Sequence, residues 1–202
     1  MTERPVAGQN RVLWPWLMMG IVVLALILWW LLGRDRSASP VVDATTDSTQ
    51  VRDANAATSM AAVSEFERFV GADPEASSSH DYTADGLRKL AAGLEAVAPS
   101  GSVAGMDVGM RANEIRVRAD SIQRDPSSTT HARQAREGAL LAASVLQQIQ
   151  EARFAALSEQ ARRVTDAAKA LKADQPLLDQ TTQVKTFFTS AASALRAMTP
   201  PA

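Results

Sequence analysis

The sequence predicts an all-α protein: a single N-terminal transmembrane helix, a disordered tether, and then an up-and-down antiparallel helical bundle with a coiled-coil-like C-terminal hairpin. Three observations carry this. Residues 12–32, VLWPWLMMGIVVLALILWWLL, contain no charge and no amide side chain. From Ser59 onward, large apolar residues recur at spacings of three and four, the period of one helix face. Alternating runs of β-branched and aromatic residues, which mark half-buried strands, are nearly absent.

The apolar run comes first. At about 1.5 Å of rise per residue it makes a helix of about 30 Å, the thickness of a bilayer's hydrocarbon core. Arg11 and Arg34 bracket it, and all four tryptophans of the chain lie inside it: Trp14 and Trp16 near one end, Trp29 and Trp30 at the other. An indole has an apolar body and one N–H donor, so it favours the headgroup level. These six residues are the expected membrane-interface anchors. A buried core helix would have no reason to sort its tryptophans to both ends. Pro15 falls in the first turn, where a missing N–H costs little.

A cleaved signal peptide is the rival reading, given the positive start and the small residues Ser37-Ala38-Ser39. The apolar run is longer than the core of such a peptide, however, and Arg34, Asp35 and Arg36 separate it from any cleavage site. Retention is therefore expected. Arg4 and Arg11 before the run balance Arg34 and Arg36 behind it, and the free amino terminus tips the count. Residues 1–11 are expected as a short cytoplasmic tail. The C-terminal domain is expected outside the cytoplasm, on the periplasmic side of an inner membrane.

Residues 33–58 are rich in Ser, Thr, Asp and Ala with only isolated valines. Such a segment buries too little apolar surface to offset its ordering entropy, so a flexible linker is expected, with a reach of roughly 25–30 Å. Residues 59–202 form the expected soluble domain. Its first short helix places Val63, Phe66 and Val70 on one face, with Phe69 beside them, and ends at Gly71 and Pro74. Thr83 can cap a second helix, with Asp85 complementing the dipole and a stripe of Leu87, Leu90, Leu94 and Val97. Pro99 stops it.

Gly101, Gly105 and Gly109 recur every four residues, which reads as a loop or frayed start because each glycine costs a helix about 1 kcal/mol. The third helix is expected from near Asp107, on the stripe Val108, Ala112, Ile115, Ala119, Ile122. Pro126 and Ser127 open a long fourth helix reaching Lys172. Its stripe rotates near Gln150, from Leu141, Val145 and Ile149 to Phe154, Leu157, Ala161, Val164, Ala168 and Leu171. A bend or a change of packing partner is expected there. Asp174 and Pro176 start the fifth helix, with Leu177, Thr181, Val184, Phe188, Ala191, Leu195 and Met198 on one side. Two narrow seams joined by a tight turn predict an antiparallel hairpin. The helix-packing seam is thus Phe154, Leu157, Val164 and Leu171 against Leu177, Val184, Phe188 and Leu195.

Chemistry is sparse. The 21 basic and 22 acidic residues are scattered, without the basic stripe that nucleic-acid binding needs, so no nucleic-acid partner is expected. Without cysteine there are no disulfides, thiolate nucleophiles or cysteine-ligated zinc, and two histidines do not make a three-histidine site. His131 reads as an exposed residue in the first turn of a helix, and His80 as a loop residue without a partner. Met106 and Met110 could offer sulfur to copper(I) but fill core gaps equally well. Glu114 with Arg118 and Glu159 with Arg163 read as i,i+4 pairs on solvated faces.

No catalytic residue, no cofactor and no metal ligand is assigned, and no enzymatic activity is expected. The expected partners are the lipid bilayer and a protein, or a second copy, met through helix faces. The expected function is that of a membrane-anchored, non-enzymatic scaffold of the cell envelope. The alternative is a bundle that senses a small ligand or metal and acts through a partner subunit.

Overall fold

A computed structural model of the chain describes residues 44–72, 79–98, 102–124 and 128–199. Residues 1–11, expected as a cytoplasmic tail, the apolar run with its tryptophans and arginines, and the first part of the expected linker lie outside the described residues. Thr49–Ala202 forms one compact unit. It is an all-helical bundle built from α1 (Ala44–Gly71, within this unit from Thr49), α2 (His80–Val97), α3 (Val108–Arg124), α4 (His131–Arg153), α5 (Ser158–Ala170) and α6 (Thr181–Met198). Among the described residues, the only strands are β1 (Ser102–Val103) and β2 (Met106–Asp107).

Contacts between side chains give the direction of each helix. Arg88 pairs with Asp120, and Glu95 with Arg116, so α2 and α3 run antiparallel. The rings of His80 and His131 meet, and a Cβ on Gly138 would lie 3.1 Å from Leu87, so α2 and α4 run parallel with their N-termini level. The guanidinium of Arg136, near the start of α4, donates to the carbonyl of Leu171 at the end of α5 at 3.0 Å. The chain therefore reverses between α4 and α5. Gly86 faces Phe188, and Gly93 faces Leu195 seven residues on, so α6 runs parallel to α2.

The result is a regular arrangement. The parallel helices α2, α4 and α6 pack on one another, α3 lies in the groove between α2 and α4, and α5 lies in the groove between α4 and α6. The core is made from the inner faces of these helices, including Leu87, Leu90 and Leu94 of α2, Ile115 and Ile122 of α3, Leu146 and Ile149 of α4, and Phe187, Phe188 and Leu195 of α6. Many of the residues between them are alanine, which lets neighbouring axes approach closely.

Several expectations change. The linker is helical from Ala44 through Thr58, continuous with the helix expected after it. Nothing between Pro40 and Gly71 breaks a helix, and Ala, Gln, Arg and Met there favour one. The second helix begins at His80: Ser79, in extended conformation, is its N-cap, and its hydroxyl accepts from the Tyr82 N–H at 2.9 Å. Thr83, expected as the cap, is buried inside the helix.

From Ser102 the glycine-spaced segment is not helical up to Asp107, as the loop reading expected. β1 and β2 pair antiparallel, Val103 against Met106, around Ala104 and Gly105, both at positive φ (51° and 81°), the signature of a tight hairpin turn. Asp107 then caps α3 by accepting from the Met110 N–H at 2.9 Å.

The largest change concerns the expected fourth helix. It is two helices: α4 ends at Arg153, Ala155–Leu157 is a 3-10 turn, and α5 comes back. No proline or glycine marks the break. Folding back lets both stripes face one core, and the buried Gln150 amide donates to the carbonyls of Phe154 (3.1 Å) and Ala155 (3.4 Å) that the break frees. Between α5 and α6, Gln180 does the same. Its side chain accepts from Lys172 N–H at 2.6 Å and donates to the carbonyls of Lys172 and Gln175, so a buried amide fixes the turn.

The expected Glu114–Arg118 pair is also redistributed. Glu114 meets Arg111 at 3.0 Å, while Arg118 reaches Glu137 on α4 at 3.4 Å. Glu159 lies 3.5 Å from Arg163 and 2.7 Å from Arg162.

Candidate interaction groove

Three grooves run between the parallel helices. Two are filled by α3 and α5; the third, between α2 and α6, is where Phe66, Phe69, Tyr82, Phe187 and Phe188 collect. Its floor is set by glycine. A Cβ on Gly86 would fall inside the van der Waals envelope of the Phe188 ring, and one on Gly93 would stand 2.8 Å from Leu195 Cδ1. Side chains of α6 thus cross directly over the α2 backbone.

The C-terminal turns of α1 lie over this floor. Phe66 meets Phe188 edge-on, with centroids 6.0 Å apart at 88°. Phe69 stacks on Tyr82 at 4.8 Å and 19°, and is edge-on to Phe188 at 6.5 Å. Such geometries align ring edges with ring faces and add to simple burial. Glu65 is hydrogen-bonded to Lys89 on α2, which holds its carboxyl below the usual range. Glu67 reaches Arg196 on α6 at 3.2 Å. α1 is therefore antiparallel to α2 and touches both walls. Tyr82 is 5% exposed, and its hydroxyl has no hydrogen-bond partner among the described residues; burial raises its pKa.

A second cluster lies where α2 and α4 begin. His80 and His131 are the first residues of these helices, and their ring centroids are 4.2 Å apart at 64°. His131 is 3% exposed. The readings of His131 as exposed and of His80 as an unpartnered loop residue are thus corrected, because parallel packing sets the two helix starts side by side. Burial, and then the neighbouring His131, lower the pKa of His80, against an opposing pull from Asp81. Asp81 in turn accepts from the Gln123 amide of α3 at 3.1 Å.

A third feature is a half-open cleft of about 460 Å³ at the α4–α5 elbow, lined by both signs of charge, among them Glu151, Arg162, Asp166 and Lys169. Arg162 is already engaged by Glu159 and Asp166.

The interface anchors Trp14, Trp16, Trp29, Trp30, Arg11 and Arg34 lie outside the described residues. Among the described residues, no helix is long and apolar enough to cross a membrane. Of the packing seam, Val164, Leu171, Leu177, Val184, Phe188 and Leu195 are buried, and Phe154 and Leu157 are half-buried. The buried face of α6 is broader than a two-position seam, since Phe187, Ala192 and Ala194 are buried too. Met106 is half-buried, Met110 is 62% exposed, and no cluster of three or more metal-ligating side chains occurs among the described residues.

The reading of the sequence passed over Tyr82, Phe187 and the glycines of α2. The seven-residue spacing of Gly86 and Gly93 within an apolar stripe was the available signal for a close helix contact. No family model, no curated protein and no solved structure matches the chain.

Proposed function

We propose that this protein is a membrane-anchored, non-enzymatic interaction module of the cell envelope, held at the bilayer by residues 12–32 and presenting a helical bundle to a protein partner or to a second copy. The observation that carries the reading is the uncharged, bilayer-length apolar run, bracketed by Trp14 and Trp16, Trp29 and Trp30, Arg11 and Arg34. Confinement to a surface raises the effective concentration of the bundle for anything else held there. On this reading the bundle stands on the periplasmic side of an inner membrane.

Alkaline carbonate extraction tests the anchor, and reporter fusions at the C-terminus test its orientation. The full chain is expected to stay with the membrane pellet, and replacing Leu24 and Leu26 by Arg is expected to release it. Loss of the unaltered chain into the wash would sink the proposal. A second reading, a bundle that senses a small ligand, draws on the cleft at the α4–α5 elbow. A ligand-dependent rise in melting temperature would favour it over the first.

A further inference from the structure

The three grooves between α2, α4 and α6 are filled unequally. α3 buries five residues in its groove and α5 buries four. From Ala57 to Gly71, α1 buries only Val63 and Phe66, with Phe69 and Val70 half-buried beside them. Aromatic rings carry most of the contact between α1 and the walls of its groove, Phe66 and Phe69 against Tyr82 and Phe188. Polar ties at the rim include two ion pairs, Glu65 with Lys89 and Glu67 with Arg196, and the Lys89 ammonium 5.9 Å from the centre of the Phe69 ring. Exposed pairs of this kind hold little and are screened by salt. α1 also covers Tyr82, whose buried hydroxyl makes no hydrogen bond among the described residues, which counts against the closed arrangement.

By contrast, α2 to α6 do not depend on α1 for their mutual contacts. α2 touches α3, α4 and α6; α4 touches α3 and α5; and α6 touches α5. The five can remain packed with α1 absent from its groove.

We infer that α1 is a detachable latch: its C-terminal turns leave the groove between α2 and α6 while the other five helices stay folded, uncovering Tyr82 and Phe188 as an apolar floor with Lys89 and Arg196 at its rims. The uncovered groove fits an amphipathic helix with aromatic residues three apart and acidic residues next to them, the pattern α1 itself presents at Glu65-Phe66-Glu67 and Phe69. The device belongs to the fold of Thr49–Ala202 and does not rest on the membrane reading.

The chain contains no cysteine, so single thiols report opening without background. Val63→Cys on α1 and Val145→Cys on α4 replace residues of matched burial, 3% and 1% exposed. Each is introduced alone into the full chain and labelled with a maleimide under native conditions, with Val184→Cys on α6 as a second bundle reporter. Val63→Cys is expected to label at least tenfold faster than either bundle thiol. Its rate should respond weakly to low urea, whereas the bundle thiols should respond steeply, because local opening exposes less surface than global unfolding. Equal rates with equal urea dependence at the three positions would show a single cooperative unit and overturn the latch.

Discussion

α1 and α2 are neighbours with opposite economies. α1 has 28 residues, and α2 has 18. Yet α2 buries ten residues, from Tyr82 to Val97, while the described side chains of α1 bury two. α2 is central because α3, α4 and α6 pack on it and α1 covers a further side, which demands small or apolar residues nearly all round. α1 meets the bundle along one edge and leaves its other faces polar. How firmly a helix is held depends on how many of its sides are covered.

Phe188 is where the two regions meet, so its removal should have the largest effect. It is 1% exposed and touches Phe66, Phe69, Tyr82 and Phe187. Phe188→Ala is expected to cost about 3–5 kcal/mol, read from urea unfolding followed by circular dichroism. An unchanged midpoint would mean that the aromatic cluster is not an anchor of the bundle. A smaller effect separates the two helices through their glycines. At Gly86 an added methyl meets the Phe188 ring, whereas at Gly71 it meets nothing within 4 Å. Gly86→Ala is expected to lose about 1–3 kcal/mol from overpacking, offset in part by about 1 kcal/mol of helix propensity. Gly71→Ala should leave stability nearly unchanged, and equal effects at both positions would contradict the close α2–α6 contact.

The smallest effect is a pH slope. The folded pKa of His80 lies below its ordinary 6.5, so the unfolded chain binds that proton more readily. Its contribution is intact above about pH 6.5 and declines as pH falls through 6.5 towards the folded value. Melts between pH 5 and 7.5 should show this decline, and His80→Gln should flatten it. A melt insensitive to pH in the unaltered protein would argue against the placement of the half-buried His80 beside His131.

The stripes Leu87–Leu90–Leu94, Val108–Ala112–Ile115 and Val184–Phe188–Ala191–Leu195 were readable in sequence, since each must follow the helical period whatever it packs against. The α4–α5 reversal was not. It lacks proline and glycine, and its cap, Gln150, is an amide acting on carbonyls four and five residues ahead. A rotated stripe is the same whether the helix bends or folds back, so only the packing partner distinguishes the two. The groove was half visible: Val63, Phe66 and Val70 stood out as one face with Phe69 beside them, but Tyr82 and Gly86 gave no sign of being their receptor. The histidines were misread because each ring meets the other across two helix starts about fifty residues apart in the chain.

Sequence alone determined the helical class, the faces that turn inward, and an apolar run of bilayer length, because periodicity and charge exclusion are local properties. The tertiary structure decided which helices run parallel, where the chain turns back, and which groove receives α1. Those choices depend on the fit of Phe188 over Gly86 and Leu195 over Gly93, and on amides such as Gln180 reaching across a turn. Contacts of that kind join residues far apart in the chain and leave no period to read.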